Sequence, residues 1–260
     1  MLVGIDHLVV AVPDLDEAAE LLAQGLGIES GGGGVHPSLG TANRLAWFGD
    51  SYLELLAITD PEAAVASWLG APAIKLLADQ GTGGFVTFAL ASDDIEADLA
   101  GAAAIGSPID GPPPGERRRS AGEVVRWTLA MPPTVGPDKP PFLIQHDLDG
   151  AEWRPADQQA RLAAVHPLGG PVRLVSLTID VADPPAVVAS YRSILGLPPM
   201  SFGGGGIRSG VRSVSVGSQR IVLRRAVGVA GPPVQIDLTT AGGRGGSADL
   251  FGCRFVVRPV

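Results

Sequence analysis

The sequence predicts an α+β protein assembled from tandem βαβββ units, two paired and a third partial. Three observations carry this. A strand-like run followed by a helix-like run occurs at the start of the chain and again from Leu174. The two copies align without a gap across their helices, and both continue through a glycine tetrad into a hairpin.

The first unit opens on Gly4-Ile5-Asp6-His7-Leu8-Val9-Val10-Ala11-Val12, an alternating and β-branched run that suits a strand. Asp14 stands as an N-cap before a helix that Gly25 or Gly27 closes. Residues 31–34 are all glycine; neither Gly-Lys-Ser/Thr nor a helix follows, so they serve a sharp turn rather than a phosphate cradle. Arg44 through Leu56 reads as a hairpin with Gly49-Asp50 at its turn.

The middle copy is weaker. It has a strand from Gly84 to Leu90, a helix from Ile95 to Ala104 capped by Asp93-Asp94, and strands at Glu123 to Ala130 and Pro141 to Asp147. Arg117-Arg118-Arg119, after Pro112-Pro113-Pro114, is expected to be a solvated loop. In the third copy, setting Asp183 on Asp14 brings Gly196 onto Gly27 without a gap, and a glycine tetrad at 203–206 and a hairpin turn at Gly217-Ser218 then follow in the same order. Strands at 234–239 and 253–258 are too few for a complete fourth unit. The expected organisation is a paired-unit domain over 1–150, a linker over 151–170 and the third unit with extra strands over 171–260. An unpaired third unit leaves a free edge that a second copy would cover, so a homodimer is expected.

Composition narrows the function. Apolar residues form 45% of the chain, enough to build a core, and the net charge of −8 argues against a nucleic-acid partner. Cys253 is the single cysteine, which excludes an internal disulfide and a cysteine zinc site. A metal would have to use His, carboxylate or amide ligands. There is no apolar run of the roughly 18 residues a membrane span needs, and no leader, so a cytoplasmic protein is expected.

Paired units opening on Ile5-Asp6-His7-Leu8-Val9-Val10 and closing on Tyr52-Leu53-Glu54-Leu55-Leu56 resemble the vicinal oxygen chelate superfamily, which includes glyoxalase I, extradiol dioxygenases, epimerases and bleomycin-resistance proteins. More narrowly, His36-Pro37, Gly40-Thr41-Ala42-Asn43-Arg44 and Phe48-Gly49-Asp50 look like the glyoxalase-like domain branch. The resemblance implies that units one and two curl into a U-shaped mixed sheet with a divalent metal in its trough. Its ligands would come from the first and last strands of each unit. His7 and Glu54 match that pattern; unit two offers Thr87 and Gln145, and unit three Ser176 and Val222. The implied ligand set is His7, Glu54 and Gln145 around Mn, Fe, Ni or Zn. The alternative is no metal, with His7 bonded directly to Glu54. Strand parity puts His146 on the face opposite Gln145, so it is not expected to be a ligand.

His7 and Glu54 are the catalytic candidates, with Glu54 as a base. Arg44, with Asn43 and Thr41, would bind a substrate carboxylate. His36 would act as a gate or proton donor, while Tyr52, Trp127 and Gln145 would line the site for an apolar or aromatic small molecule. Three functions stay open: a metal-dependent isomerase, lyase or dioxygenase; a metal-free small-molecule binding or sequestration protein; and a degenerate assembly scaffold. Whether the chain is an enzyme is left undecided.

Overall fold

A computed structural model describes residues 1–111, 113–197, 201–202, 210–226 and 233–260. The second glycine tetrad, 203–206, lies outside the described residues.

The first unit contains β1 (Leu2–Ala11), α1 (Leu15–Leu26), β2 (Gly31–His36), β3 (Thr41–Phe48) and β4 (Ser51–Ile58). Asp14 starts the helix by accepting from the amides of Asp16 and Glu17, and Gly27 stops it at φ 65. Two short helices, α2 (Pro61–Val65) and α3 (Gly70–Gln80), lead into the second unit. That unit comprises β5 (Gly84–Ser92), α4 (Ile95–Ala104), β6 (Pro114–Arg118), β7 (Val124–Ala130) and β8 (Phe142–His146). β6 corrects the expected loop: Arg117 and Arg118 lie in a strand that pairs along β7, and only Arg119 lies beyond it.

The two units share a sheet through antiparallel β1 and β5, with β4 and β8 parallel on either side. Curvature goes beyond a U. The strands close into a barrel in the order β1-β4-β3-β2-β6-β7-β8-β5. Closure rests on one pair, Val35 with Arg118. Gly34 permits it, because a Cβ there would lie 2.1 Å from the Arg118 carbonyl oxygen. The first glycine tetrad thus belongs to β2 itself, and its missing side chains let β2 reach β6.

After α5 (Pro155–Ala163), the third unit runs through β9 (Val172–Val181), α6 (Pro184–Leu195), β10 (Ser201–Phe202), β11 (Val211–Val216) and β12 (Gln219–Arg225). β13 (Val234–Thr240), β14 (Gly246–Leu250) and β15 (Cys253–Pro259) follow. These last three correct the expected lone unit. β13 pairs antiparallel with β9 as β5 does with β1, and β15 runs parallel to β13 as β8 does to β5. They form a fourth unit without a helix. β13 takes the edge of β9 that was expected to need a partner copy, so that ground for a homodimer is gone. The seven strands run β10-β11-β12-β9-β13-β15-β14 in an open sheet.

One apolar core joins the two sheets. It takes Leu8, Val10, Leu53 and Leu55 from the outer face of the barrel and Leu177, Ile179, Ile236 and Phe255 from the second sheet. Gln219 adds a polar stitch: its side chain accepts from the Ile5 amide at 2.5 Å and donates to Ser51 Oγ at 2.6 Å. No described helix is long and apolar enough to cross a membrane.

Candidate functional site

The barrel encloses a cavity of about 300 Å³. Its position follows from parity. On β1, Leu8 and Val10 point into the core, so His7 points into the barrel; on β4, Leu53 and Leu55 point out and Glu54 in. His7 and Glu54 are 3% and 5% exposed, and His7 Nε2 lies 3.5 Å from Glu54 Oε2. The structure therefore brings the two expected catalytic residues together.

Asp6, to which the sequence pattern assigns no role, fixes the orientation of His7. Its Oδ1 accepts from His7 Nδ1 at 2.6 Å, and both its oxygens lie 3.1 Å from His146 Nε2. Burial alone would raise the Asp6 pKa, but its bonds to His146 and His7 outweigh that and hold it well below the usual carboxylate range. An ionised carboxylate only accepts hydrogen bonds, so both histidines donate to it. His7 then presents Nε2 to Glu54. Burial lowers the pKa of His146, and the neighbouring Asp6 opposes that shift. Its Nδ1 has no hydrogen-bond partner among the described residues, and the ring stacks on Trp153 at 3.5 Å.

Asn43 and His36, on β3 and β2, flank Glu54. Asn43 Nδ2 donates to Glu54 Oε1 at 2.7 Å, while Asn43 Oδ1 accepts from the Gly34 amide at 2.9 Å and from Arg117 Nη1 at 3.3 Å. His36 Nε2 is 4.0 Å from Glu54 Oε1, and His36 Nδ1 is 3.1 Å from Thr41 Oγ1. Thr41 thus supports His36 from behind the cavity wall. Burial lowers the His36 pKa to about 4; Glu54 opposes the shift, and Arg117 and His7 add to it. Tyr52 stacks on His7 with ring centroids 4.6 Å apart, and Trp127 meets His36 edge-on. Burial, reinforced by Asp6 and Glu54, raises the Tyr52 pKa well above its ordinary value.

Three expectations need correction. Gln145 is not with His7 and Glu54: its Oε1 accepts from the Ile95 amide at 2.8 Å, at the start of α4. The reason is register. Val9 lies opposite Glu54, and Ala89 lies opposite Phe142. With the caps Asp14 and Asp94 superimposed, Phe142, not Gln145, falls in the place of Glu54. It follows that Ile144 and His146 face the cavity, the reverse of the expected parity. Arg44 is likewise outside the site, 2.6 Å from Asp16 of α1. The arginine within the cavity wall is Arg117, 4% exposed and paired with Glu152. Inward placement on β6 could have been anticipated from alternation with the exposed Glu116 and Arg118, had that segment been read as a strand. Finally, Glu152 and Trp153 of the expected linker line the cavity.

A divalent metal would need more donors than the cavity brings together. His7 and Glu54 supply two strong donors, where catalytic sites usually supply three. Thr87 and Phe142 occupy the symmetry-related ligand places. His36 does not complete the set, because the Asn43 NH₂ group reaches toward both His36 Nε2 (3.5 Å) and Glu54 Oε1. That is a donor where a ligand would need a lone pair, and Gly34 and Arg117 keep the amide from flipping. Among the described residues, no three His, Cys, Asp or Glu side chains form a metal-holding group. The residues present do not fit a resident metal ion.

The profile of the family described as "Glyoxalase-like domain" matches residues 5–195, well over half of the chain. The chain belongs to that family. Its glyoxalase-like fold places it in the vicinal oxygen chelate superfamily, with a cavity of small-molecule size inside the paired units. A hypothetical protein from Staphylococcus aureus is similar over 99% of this chain and 99% of its own, at 18% identity and TM-score 0.77, which speaks for the fold alone. Methylmalonyl-CoA epimerase of Streptomyces coelicolor, solved as a point variant in complex with 2-nitronate-propionyl-CoA, is 27% identical over 56% of this glyoxalase-like chain and 98% of its own, with TM-score 0.41. The Mycobacterium tuberculosis epimerase is 21% identical over 55% and 88%, also with TM-score 0.41. No match is found among curated proteins.

Proposed function

We propose that this chain binds a small organic molecule in the barrel cavity and moves a proton on it through His7 and Glu54. One observation carries the reading. A buried histidine, oriented by Asp6, presents Nε2 3.5 Å from a buried carboxylate inside an aromatic-walled cavity. Such a pair can take a proton from one atom of a ligand and return it to another, which is isomerase or lyase chemistry. Asn43 holds the Glu54 carboxylate in place, and Tyr52 holds the plane of the imidazole. No step is routed through a metal, because the donor set does not fit one.

The second reading is sequestration: the same aromatic walls would hold a ligand without chemistry. A thermal-shift screen of 2-oxo acids, glutathione adducts and aromatic drugs supplies ligands. NMR in D₂O then follows deuterium entering the C–H positions of each hit. The expected result is exchange catalysed by the wild type and slowed about 10²-fold or more in Glu54→Gln, with binding retained. Hits that bind without exchange would leave sequestration as the function. Stoichiometric metal in the wild type that disappears in His7→Ala would restore the metal-dependent reading.

A further inference from the structure

Arg117 is a guanidinium set in the wall of a cavity lined in part by aromatic rings, and its charge is met from within the chain. Its Nη2 donates to Glu152 Oε2, and Arg119 Nε lies 3.0 Å from the other oxygen of the same carboxylate. The Arg117 and Glu152 side chains are 4% and 11% exposed, and both line the cavity. Glu152 does not come from the barrel. It sits in the segment after β8, and its backbone adopts φ 69, a left-handed conformation that costs a non-glycine residue energy. The next residue, Trp153, stacks on His146. Arg161 donates to the Glu152 carbonyl and lies over the Trp47 ring at 4.1 Å, yet its Nε and Nη2 are buried without partners among the described residues. The Glu152 carboxylate thus sits on a left-handed backbone and is held on a buried arginine by a segment whose Arg161 nitrogens are unpartnered among the described residues.

We infer that Glu152 stands in for the carboxylate of the ligand. The cavity takes a small molecule with an apolar or aromatic body and one carboxylate. That carboxylate displaces Glu152 from Arg117, and the strap over 147–163 moves with it. The inference rests on the proposed binding role of the cavity and adds its substrate class. The guanidinium fork fits a planar carboxylate, and loss of Glu152 without a replacement would leave a charge buried unpaired. An incoming carboxylate therefore substitutes one ion pair for another, and relaxation of Glu152 adds to the exchange. Position also follows. Arg117 Nη1 is bonded to Asn43, whose amide is bonded to Glu54. The anionic end of the ligand is thereby set one amide away from the catalytic carboxylate. Arg44, paired with Asp16 on the outer surface, has no part in this.

The test compares 3-phenylpropionate with its uncharged amide by calorimetry at pH 7, on the wild type and Glu152→Gln. Without its internal rival, Glu152→Gln is expected to bind the carboxylate about tenfold or more tighter than the wild type, and the amide unchanged. Hydrogen exchange over 147–163 in the wild type should quicken when the carboxylate is added and not when the amide is added. Arg117→Gln should abolish the preference for the carboxylate; if that variant does not fold, the Glu152→Gln comparison decides alone. Equal affinity for the two probes in Glu152→Gln, or no tightening of the carboxylate, overturns the inference. If the amide still quenches the tryptophans of the cavity in that case, small-molecule binding stands and only the carboxylate class falls. If neither probe binds either protein, both fall.

Discussion

The two sheets are built from the same unit and end as opposite environments. In the barrel, β2 meets β6, both faces of β1 and β4 are largely buried, and the interior is a cavity with aromatic rings in its wall. The second sheet lacks the counterpart of that contact. One of its faces carries Leu177, Ile179, Ile221 and Leu223 into the core, while the alternate residues present Ser176, Thr178, Gln235 and Asp237. Arg220, Arg224, Arg254 and Arg258 share that second face and are exposed. Among the described residues no strand flanks β10 or β14 on the outer side, so the sheet stays open. The places held by His7 and Glu54 in unit one are held by Ser176 and Val222 in unit three, as the self-alignment of the sequence required. Closure of the strand ring, more than the repeat itself, distinguishes a sheet that lines a cavity from one that presents an open face.

The largest expected effect follows directly. Gly34→Val places a branched side chain where a Cβ already meets the Arg118 carbonyl oxygen at 2.1 Å. It should cost about 3 kcal/mol or more by overpacking, since the obstruction is backbone. It should also abolish cavity binding, because Gly34 orients Asn43. Gly246→Ala in β14 of the open sheet meets nothing within 4 Å and should change stability by less than about 0.5 kcal/mol. Urea unfolding of both variants measures the difference; equal costs would mean that barrel closure contributes nothing special.

What could be read from the sequence tracks how local the physics is. The caps Asp14, Gly27 and Gly196 and the hairpin glycines depend on neighbouring residues, and they fall where expected. His7 and Glu54 stand in short strand motifs, Ile5 to Val10 and Tyr52 to Leu56, that are likewise local. Gln145 is misplaced by the sequence because the connection before β8 hides the register, which only pairing of Ala89 with Phe142 reveals. Arg117 and Glu152 are illegible for a related reason. Their meaning depends on a contact across 35 residues, and a proline-arginine run reads locally as solvated chain. The fourth unit is hidden because it lacks the helix by which the others are recognised.

The second effect concerns acid. The sequence has four histidines, and three of them, His7, His36 and His146, line the barrel cavity. The pKa of His36 is about 4 in the fold against an ordinary 6.5, so below pH 6.5 the unfolded chain binds the proton more readily. Stability is full above pH 6.5 and falls as pH drops toward 4. For this nearly fully buried ring the loss approaches about 3 kcal/mol at pH 4. His36→Gln should flatten that limb of the stability curve by a similar amount. Parallel curves for variant and wild type between pH 7 and 4 would remove His36 from the account. Substitutions on the polar face of the open sheet should leave this limb untouched.

The smallest effect belongs to that open sheet. Asp237 of β13 is 7% exposed and accepts from Arg258 at 2.6 Å, from Ser176 Oγ at 3.1 Å and from Gln235. It resembles Glu54 in being a buried carboxylate fixed by an amide, and differs in what completes the shell. Glu54 faces an imidazole across 3.5 Å of cavity; Asp237 faces a guanidinium that is itself 58% exposed. Water screens that pair, so most of its Coulomb attraction is lost. Asp237→Asn keeps the shape and part of the hydrogen bonding, and should cost about 1 kcal/mol in urea unfolding. Ligand affinity and deuterium exchange in the barrel should not move. If Asp237→Asn instead weakened ligand binding, or slowed exchange as Glu54→Gln is expected to, the open sheet would be part of the active machinery, and the assignment of function to the closed repeat alone would be wrong.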